Sequence, residues 1–169
     1  MHFEAGEIEQ ALGALKKAER AEPLLPDLHI REGQTYLRRK QLPEAERSLR
    51  KALEMDPDSA EAHVWLARAL LRQKRHKEAA EEALTSVGLE HFLPMGHLVL
   101  GVALGRLRHF KRATQAFETA LSMAPGLPAA HRWLAALYSR PRGDQERAKQ
   151  HVEWLRKFRR NRRTPAAAV

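Results

Sequence analysis

The chain has 169 residues, 43% hydrophobic and 30% charged, which is enough apolar content for a packed core and excludes a disordered chain. It contains no cysteine, which excludes disulfide bonds, thiolate nucleophiles and zinc-thiolate sites and fits a reducing compartment. The longest apolar run, residues 98–104, is far shorter than the roughly 20 residues of a membrane span, and the start shows no signal pattern. We therefore expect no membrane span and a cytoplasmic location.

The formal net charge of +9 is concentrated at the C-terminal end of the sequence. Residues 139–169 contain ten Lys and Arg against three Asp and Glu, a net charge of +7. Residues 1–138 therefore carry only +2 and are nearly neutral. Any binding of an anionic partner is expected at the end of the chain rather than over its whole surface.

The first predicted element lies in residues 1–25, which we interpret as a partial repeat that holds only the second helix of a hairpin. Its apolar residues recur at helical spacing and are Ile8, Ala11, Leu12, Leu15 and Ala18. No preceding helix covers this stripe. It therefore predicts either further sequence upstream in the natural protein or self-association through this helix.

Four complete helical hairpins follow, because the same residue types recur at an interval of 34. Ala45, Ala79 and Ala113 keep this interval without a gap. The predicted hairpins are residues 26–59, 60–93, 94–127 and 128–163, and residues 164–169 are predicted to form a disordered tail. The turn of the last hairpin is one residue longer than the others.

The third hairpin resembles the tetratricopeptide repeat in the spacing of Gly101, Leu104, Phe110, Ala113, Phe117, Ala120 and Pro125. This resemblance extends over nearly the whole chain. It implies an all-α, right-handed superhelical solenoid of stacked antiparallel helix pairs that acts as a protein-interaction scaffold. The departures are Glu32 in an apolar position, His91 in place of a proline, and a histidine at the fourth position of each repeat.

A second resemblance concerns residues 92–107 and 129–138. They are similar to repeat regions that follow an alkaline-phosphatase-like phosphodiesterase/nucleotide-pyrophosphatase domain in some bacterial proteins. This resemblance implies an accessory region of a larger enzyme whose catalytic domain is not in this sequence.

Neither catalysis nor cofactor binding is predicted. No Ser, Asp or Glu lies in a nucleophile or phosphate-loop motif, so we predict no catalytic residue and no cofactor. The four histidines at the 34-residue interval would lie one hairpin apart, too far to converge on one metal ion. We predict a packing role for them rather than a metal site; they are His29, His63, His97 and His131.

The resemblance places a peptide-binding surface on the concave face of the first helices. An extended or acidic peptide of another protein is the predicted ligand. Two tryptophans, Trp65 and Trp133, are placed at the groove edge, with packing in the core as the alternative. The predicted contact residues are Ile30, Gln34, Arg38, Val64, Arg68, Arg72, Leu98, Val102, Arg106, Arg132 and Arg140. The alternative for the arginines is simple stabilisation of helix C-termini, which requires no ligand.

A basic segment closes the last predicted helix. Six of the eight residues 156–163 are basic, and they are Arg156, Lys157, Arg159, Arg160, Arg162 and Arg163. A solvated helix end is one interpretation, and binding to nucleic acid or an anionic surface is the other.

Overall fold

The computed structural model describes residues 26–141 and 143–163, with residues 10, 13 and 14, but not the side chains of residues 162 and 163. The predicted partial repeat at 1–25, self-association through its helix, and the tail at 164–169 therefore fall outside the described residues. Between residues 26 and 163 the described chain forms eight helices: α1 Pro26–Arg38, α2 Leu42–Met55, α3 Ala60–Arg72, α4 His76–Leu89, α5 Pro94–Arg106, α6 Phe110–Met123, α7 Pro128–Tyr138 and α8 Gln145–Arg163.

The chain divides into two compact units, Met1–His91 and Phe92–Val169. In the first unit α1 packs on α2, α3 on α4, and α3 also contacts both helices of the preceding pair. The second unit repeats this pattern with α5 to α8. Pairs of helices stacked in this way confirm the predicted all-α fold of tetratricopeptide type.

Glycines let the two helices of a hairpin approach closely. A Cβ atom added to Gly33 would lie 2.5 Å from Cγ of Leu49, and one added to Gly101 would lie 2.7 Å from a ring carbon of Phe117. Leu49 and Phe117 are both fully buried. The large side chain on the second helix therefore occupies the space that the glycine on the first helix leaves open.

The turns inside three hairpins contain a basic residue in the left-handed backbone region. These residues are Lys40, Lys74 and Arg108, with φ of 62°, 65° and 65°. In the second hairpin, the amides of Lys74 and Arg75 donate to the carbonyls of Leu71 and Leu70, which closes the end of α3. This conformation is typical of glycine and costs other L-residues roughly 1–2 kcal/mol.

Two of the four periodic histidines connect a first helix to the turn that precedes it. Nε2 of His63 and of His131 each lie 3.0 Å from a carbonyl oxygen six residues earlier, of Pro57 and Pro125 respectively. In the first hairpin His29 is 1% exposed, and its Nδ1 lies 3.1 Å from Oε2 of Glu32. Glu32 thus occupies its apolar position as the hydrogen-bonded partner of a buried histidine.

A buried carboxylate joins the first hairpin to the second. Glu46 on α2 is 8% exposed and accepts hydrogen bonds from Gln73 Nε2 and Arg75 Nη1, each at 2.7 Å. Arg50 lies 2.6 Å away on the same helix. Burial alone would raise the pKa of Glu46, but these hydrogen bonds and positive charges outweigh it and hold the pKa below its usual value.

Candidate first-helix binding surface

The first helices of the first unit form a polar concavity of about 220 Å³. Its lining residues are Asp27, Ile30, Arg31, Gln34 and Glu61. Gln34 Nε2 donates to Glu61 Oε1 at 3.2 Å, and the indole N–H of Trp65 donates to the same oxygen at 3.0 Å. The carboxylate of Glu61 therefore links α1 to α3 and fixes the orientation of the tryptophan ring.

Arg68 lies against that ring. Its guanidinium carbon is 4.2 Å from the ring centroid of Trp65, within the range of a cation–π contact. Burial lowers the pKa of Arg68, and the positive charge of Arg72 lowers it further. Among the described residues, no oxygen accepts a hydrogen bond from this half-buried guanidinium.

The four arginines predicted near the ends of the first helices lie in different environments; they are Arg38, Arg72, Arg106 and Arg140. Arg72 is exposed, but its Nη1 donates to the carbonyl of Leu37 near the C-terminal end of α1. Arg140 lies 3.5 Å from the ring centroid of Phe110, and Arg38 is exposed. For Arg72 the contact supports helix-end stabilisation, since a cation there satisfies a terminal carbonyl.

The second unit carries a larger and less polar concavity of about 370 Å³ on α7. It is lined by Ala129, Arg132, Trp133 and Ala136. The Trp133 ring stacks on Phe117 at 5.7 Å and approaches α5 so closely that a Cβ on Gly105 would lie 2.9 Å from it. Arg106 lies 5.6 Å from the centroid of the same ring. Trp133 therefore forms the wall of an apolar surface flanked by arginines.

The aliphatic residues predicted to contact a peptide are mostly buried, although Ile30 also lines the concavity of the first unit. Ile30, Val64 and Leu98 are only 3%, 2% and 9% exposed. Leu98 belongs to the main apolar cluster of the second unit, and Val102 is half-buried against that cluster. A first helix packs against several neighbours, and these side chains are largely used in that packing. Their contact with apolar side chains of a peptide stays a prediction.

The basic segment lies on the last helix and is exposed. Arg156, Lys157, Arg159 and Arg160 are exposed on α8, which continues to Arg163. This helix has 19 residues, whereas each of the other second helices has 14. The extra length carries most of the positive charge of the segment.

A ring cluster in the last hairpin is the feature that sequence reasoning missed. Trp154 stacks on His131 with ring centroids 3.8 Å apart, and Nδ1 of His131 lies 2.8 Å from Nδ1 of His151. Because Nε2 of His131 donates to a carbonyl, its Nδ1 accepts from the N–H of His151 when both rings are neutral. Burial lowers the pKa of both histidines, and for His151 the charge of His131 adds to the effect. The one-residue insertion in the turn hides this pairing from the 34-residue register.

No grouping of three His, Asp or Glu side chains suited to a metal ion exists in the part of the chain that the structure describes. None of its described helices combines the length and the apolar character needed to cross a bilayer.

The repeat spacing and the stacked helix pairs are typical of helical-repeat proteins. A comparison with protein families gives the same class. The family described as Tetratricopeptide repeat matches residues 2–52 and again 30–88, just over half of the chain. The chain belongs to this family.

Solved structures of the same fold cover almost the full chain. MamA 41-end from Desulfovibrio magneticus RS-1 has a TM-score of 0.78 at 21% identity, covering 94% of this chain and 89% of that one. A crystal structure of MamA protein gives 0.74 at 24% identity, with 97% and 90% coverage. The APC/C hetero-tetramer Cut9-Hcn1 gives 0.81 at 19% identity, with 93% and 30% coverage. These likenesses establish the fold.

A comparison with curated proteins gave no match. The resemblance to repeat regions of phosphodiesterase-type proteins therefore stays a prediction.

Proposed function

We propose that this protein is a non-catalytic interaction scaffold whose first helices bind an extended peptide segment of another protein. One observation carries the proposal. The concavity of the first unit is lined only by residues of α1 and α3. The concavity at Trp133 in the second unit is lined only by residues of α7. All three helices are first helices of their hairpins. A further concavity of about 430 Å³ lies mainly on the second helix α8, but its lining is largely charged, with Glu146, Lys149, Glu153 and Arg156.

The two surfaces differ in chemistry, so they favour different parts of a ligand. The first-unit surface is polar and contains Asp27, Glu61 and Gln34 beside Arg31. The second-unit surface offers the Trp133 ring between arginines. We expect an apolar or aromatic anchor of the peptide to bind at Trp133, because buried aromatic contacts contribute most of the free energy of binding at such surfaces.

A peptide selection tests this function. Peptides from a random display library would be selected on the full chain, and their Kd would be measured by fluorescence polarisation against two variants. Trp133→Ala should weaken binding by about 2 kcal/mol or more, the usual size of an aromatic hot spot. Gln115→Ala, an exposed residue of the second helix α6, is the matched control and should leave Kd unchanged. Selected peptides that bind equally well to both variants would refute the assignment to the first helices.

A second candidate function rests on the length of α8. Helix α8 is five residues longer than the other second helices. Near its end, arginines one helical turn apart, such as Arg156 and Arg160, place like charges next to each other. We propose that this end contacts the phosphates of nucleic acid. Binding of a DNA duplex should then weaken with salt at a slope of about 0.9 per phosphate in a double-logarithmic plot. A flat salt dependence, or no loss of binding in Arg156→Gln with Arg159→Gln, would refute it.

A further inference from the structure

Two aromatic rings lie side by side on α8, at the point where its basic end begins. Trp154 and Phe158 are one helical turn apart, and their rings stack with centroids 5.1 Å apart and planes 14° from parallel. Both residues are only half-buried. Part of this flat apolar surface therefore remains accessible to a ligand.

A buried histidine fixes the position of the two rings. Trp154 also stacks on His131, with centroids 3.8 Å apart and planes 7° from parallel. His131 is 7% exposed, and its Nε2 lies 3.0 Å from the carbonyl oxygen of Pro125. The three rings thus form a nearly parallel stack that extends from a buried residue of α7 to Phe158 on α8. Because the rings are already held in place, a ligand that stacks on them orders few further side chains.

This ring stack is particular to the last hairpin. When the longer turn is allowed for, the equivalents of Trp154 in the other hairpins are Lys51, Thr85 and Thr119. None of them is aromatic. The equivalents of Phe158 are Met55, Leu89 and Met123, the residues at which the other second helices end. The repeat framework therefore does not require two aromatic rings here, and they coincide with the part of α8 that continues into basic sequence.

Positive charge surrounds the outer end of the ring stack. Lys157 and Arg159 flank Phe158 in the sequence, and both are exposed, as are Arg156 and Arg160. Residues 156–163 contain six Lys and Arg and no Asp or Glu. Cations this close together on one helix repel one another, and a chain of anionic groups would relieve that repulsion.

Flat rings beside several cations match the chemistry of a single-stranded nucleic acid. Its bases expose their faces and stack on aromatic side chains, while its phosphates contact Lys and Arg. In a duplex the bases are already stacked on one another, so a protein ring reaches them only at the cost of unstacking. A lipid surface offers anionic groups but no flat rings. The combination of rings and charge therefore favours an unpaired strand.

We propose that Phe158, stacked on Trp154, is a base-stacking site for single-stranded nucleic acid, with the exposed cations of α8 in contact with the phosphates. This inference rests on the second candidate function above and specifies its ligand: an unpaired strand binds more tightly than a duplex. The site does not use the first-helix surfaces proposed for peptides.

Three probes of equal length separate stacking from charge. Fluorescence anisotropy on the full chain would give Kd for a labelled oligothymidylate of about 12 nucleotides, for its duplex with oligodeoxyadenylate, and for an abasic strand with the same number of phosphates. We expect the oligothymidylate to bind about tenfold more tightly than the abasic strand, which corresponds to one base stacked on an aromatic ring. It should also bind more tightly than the duplex, although the duplex carries more phosphates.

Variants assign the stacking to one ring. Phe158→Leu removes the ring but keeps an apolar side chain, and it should raise Kd for the oligothymidylate about tenfold. Its Kd for the abasic strand and its salt dependence should stay unchanged, because the cations remain. Phe158→Tyr keeps the ring and should bind as the parent does. The control Phe92→Leu removes a ring that is 80% exposed and lies outside α8, and it should leave both Kd values unchanged.

The outcomes separate this site from the phosphate contact on which it rests. If the oligothymidylate and the abasic strand bind equally well, or Phe158→Leu binds the oligothymidylate as the parent does, the stacking site is refuted and phosphate binding by α8 still stands. If Phe158→Leu weakens both strands alike, Phe158 has only a structural role and the site is refuted. If none of the three probes binds, both proposals fail. Binding to vesicles that contain phosphatidylserine, without binding to either strand, would assign the basic end to a lipid surface and also refute the site.

Discussion

Replacing Gly33 by alanine should cost stability through one defined steric contact. The added Cβ would lie 2.5, 2.8 and 3.1 Å from Cγ, Cδ2 and Cδ1 of Leu49, whereas carbon atoms in contact are normally about 3.5–4.0 Å apart. Leu49 is fully buried, so the clash is expected to cost roughly 1–3 kcal/mol. Alanine regains about 1 kcal/mol because it is the better helix former. The net loss should therefore reach up to about 2 kcal/mol.

Gly88 provides the matched control within the same unit. It is exposed near the end of α4, and a Cβ there meets nothing within 4 Å. Gly88→Ala should stabilise the first unit by up to about 1 kcal/mol, so the difference between the two variants measures the clash alone. Hydrogen exchange of peptides from residues 26–91 reports the opening free energy of this unit. Equal stabilisation by both substitutions would refute the steric reasoning.

The second hairpin suggests how the clash can be relieved. At the positions equivalent to Gly33 and Leu49 it has Ala67 and Ala83, both fully buried. Leu49→Ala alone should cost about 2–5 kcal/mol. In that background Gly33→Ala should become stabilising, which gives a coupling energy between the two positions. Additive effects of the two substitutions would contradict the proposed contact.

Three further predictions concern the turns and the buried polar groups. Lys74→Gly removes a residue with φ of 65° from the left-handed region and should stabilise the chain by about 0.5–1 kcal/mol in urea unfolding, whereas Lys77→Gly inside α4 should destabilise it by about 1 kcal/mol. The pKa of Glu46 is lowered from 4.5, so its contribution to stability is present above pH 4.5 and is lost as the pH falls through the folded-state pKa; Glu46→Gln should flatten the acid side of the stability profile. The pKa values of His131 and His151 are lowered from 6.5, so below pH 6.5 the unfolded chain binds protons that the folded chain does not. The opening free energy of residues 128–163, taken from hydrogen exchange after correction for the intrinsic exchange rate at each pH, should therefore fall as the pH falls. An unchanged opening free energy between pH 7.5 and 5 would contradict the described histidine pair.

The helix framework could be predicted because it depends on residues that recur. First helices begin at residues 26, 60, 94 and 128, at the interval that the sequence shows. Small residues, prolines at helix starts and the position of the turns are local signals with local physical causes. They required no knowledge of which helix packs on which.

The binding surface was harder to predict because neighbouring positions on a first helix differ sharply in exposure. Val64 is 2% exposed, whereas Trp65 beside it is half-buried and open to the surface. A first helix packs against its own partner and against helices of the next pair, so its buried stripe is wide. Periodicity cannot separate the edge of that stripe from a groove. The His131–Trp154 stack depends on tertiary contact across the longer turn and leaves no periodic signal.

The Glu46 cluster has a consequence for how the hairpins are ordered along the first unit. In an array of identical repeats every junction is interchangeable, so a hairpin can dock on the wrong neighbour during folding. Here the junction requires Glu46 on one hairpin and both Gln73 and Arg75 on the next. At the corresponding junction of the second unit the position of Glu46 is taken by Thr114, which cannot form the same ionic contact. We therefore expect the polar cluster to favour pairing of the first hairpin with the second over a pairing shifted by one repeat.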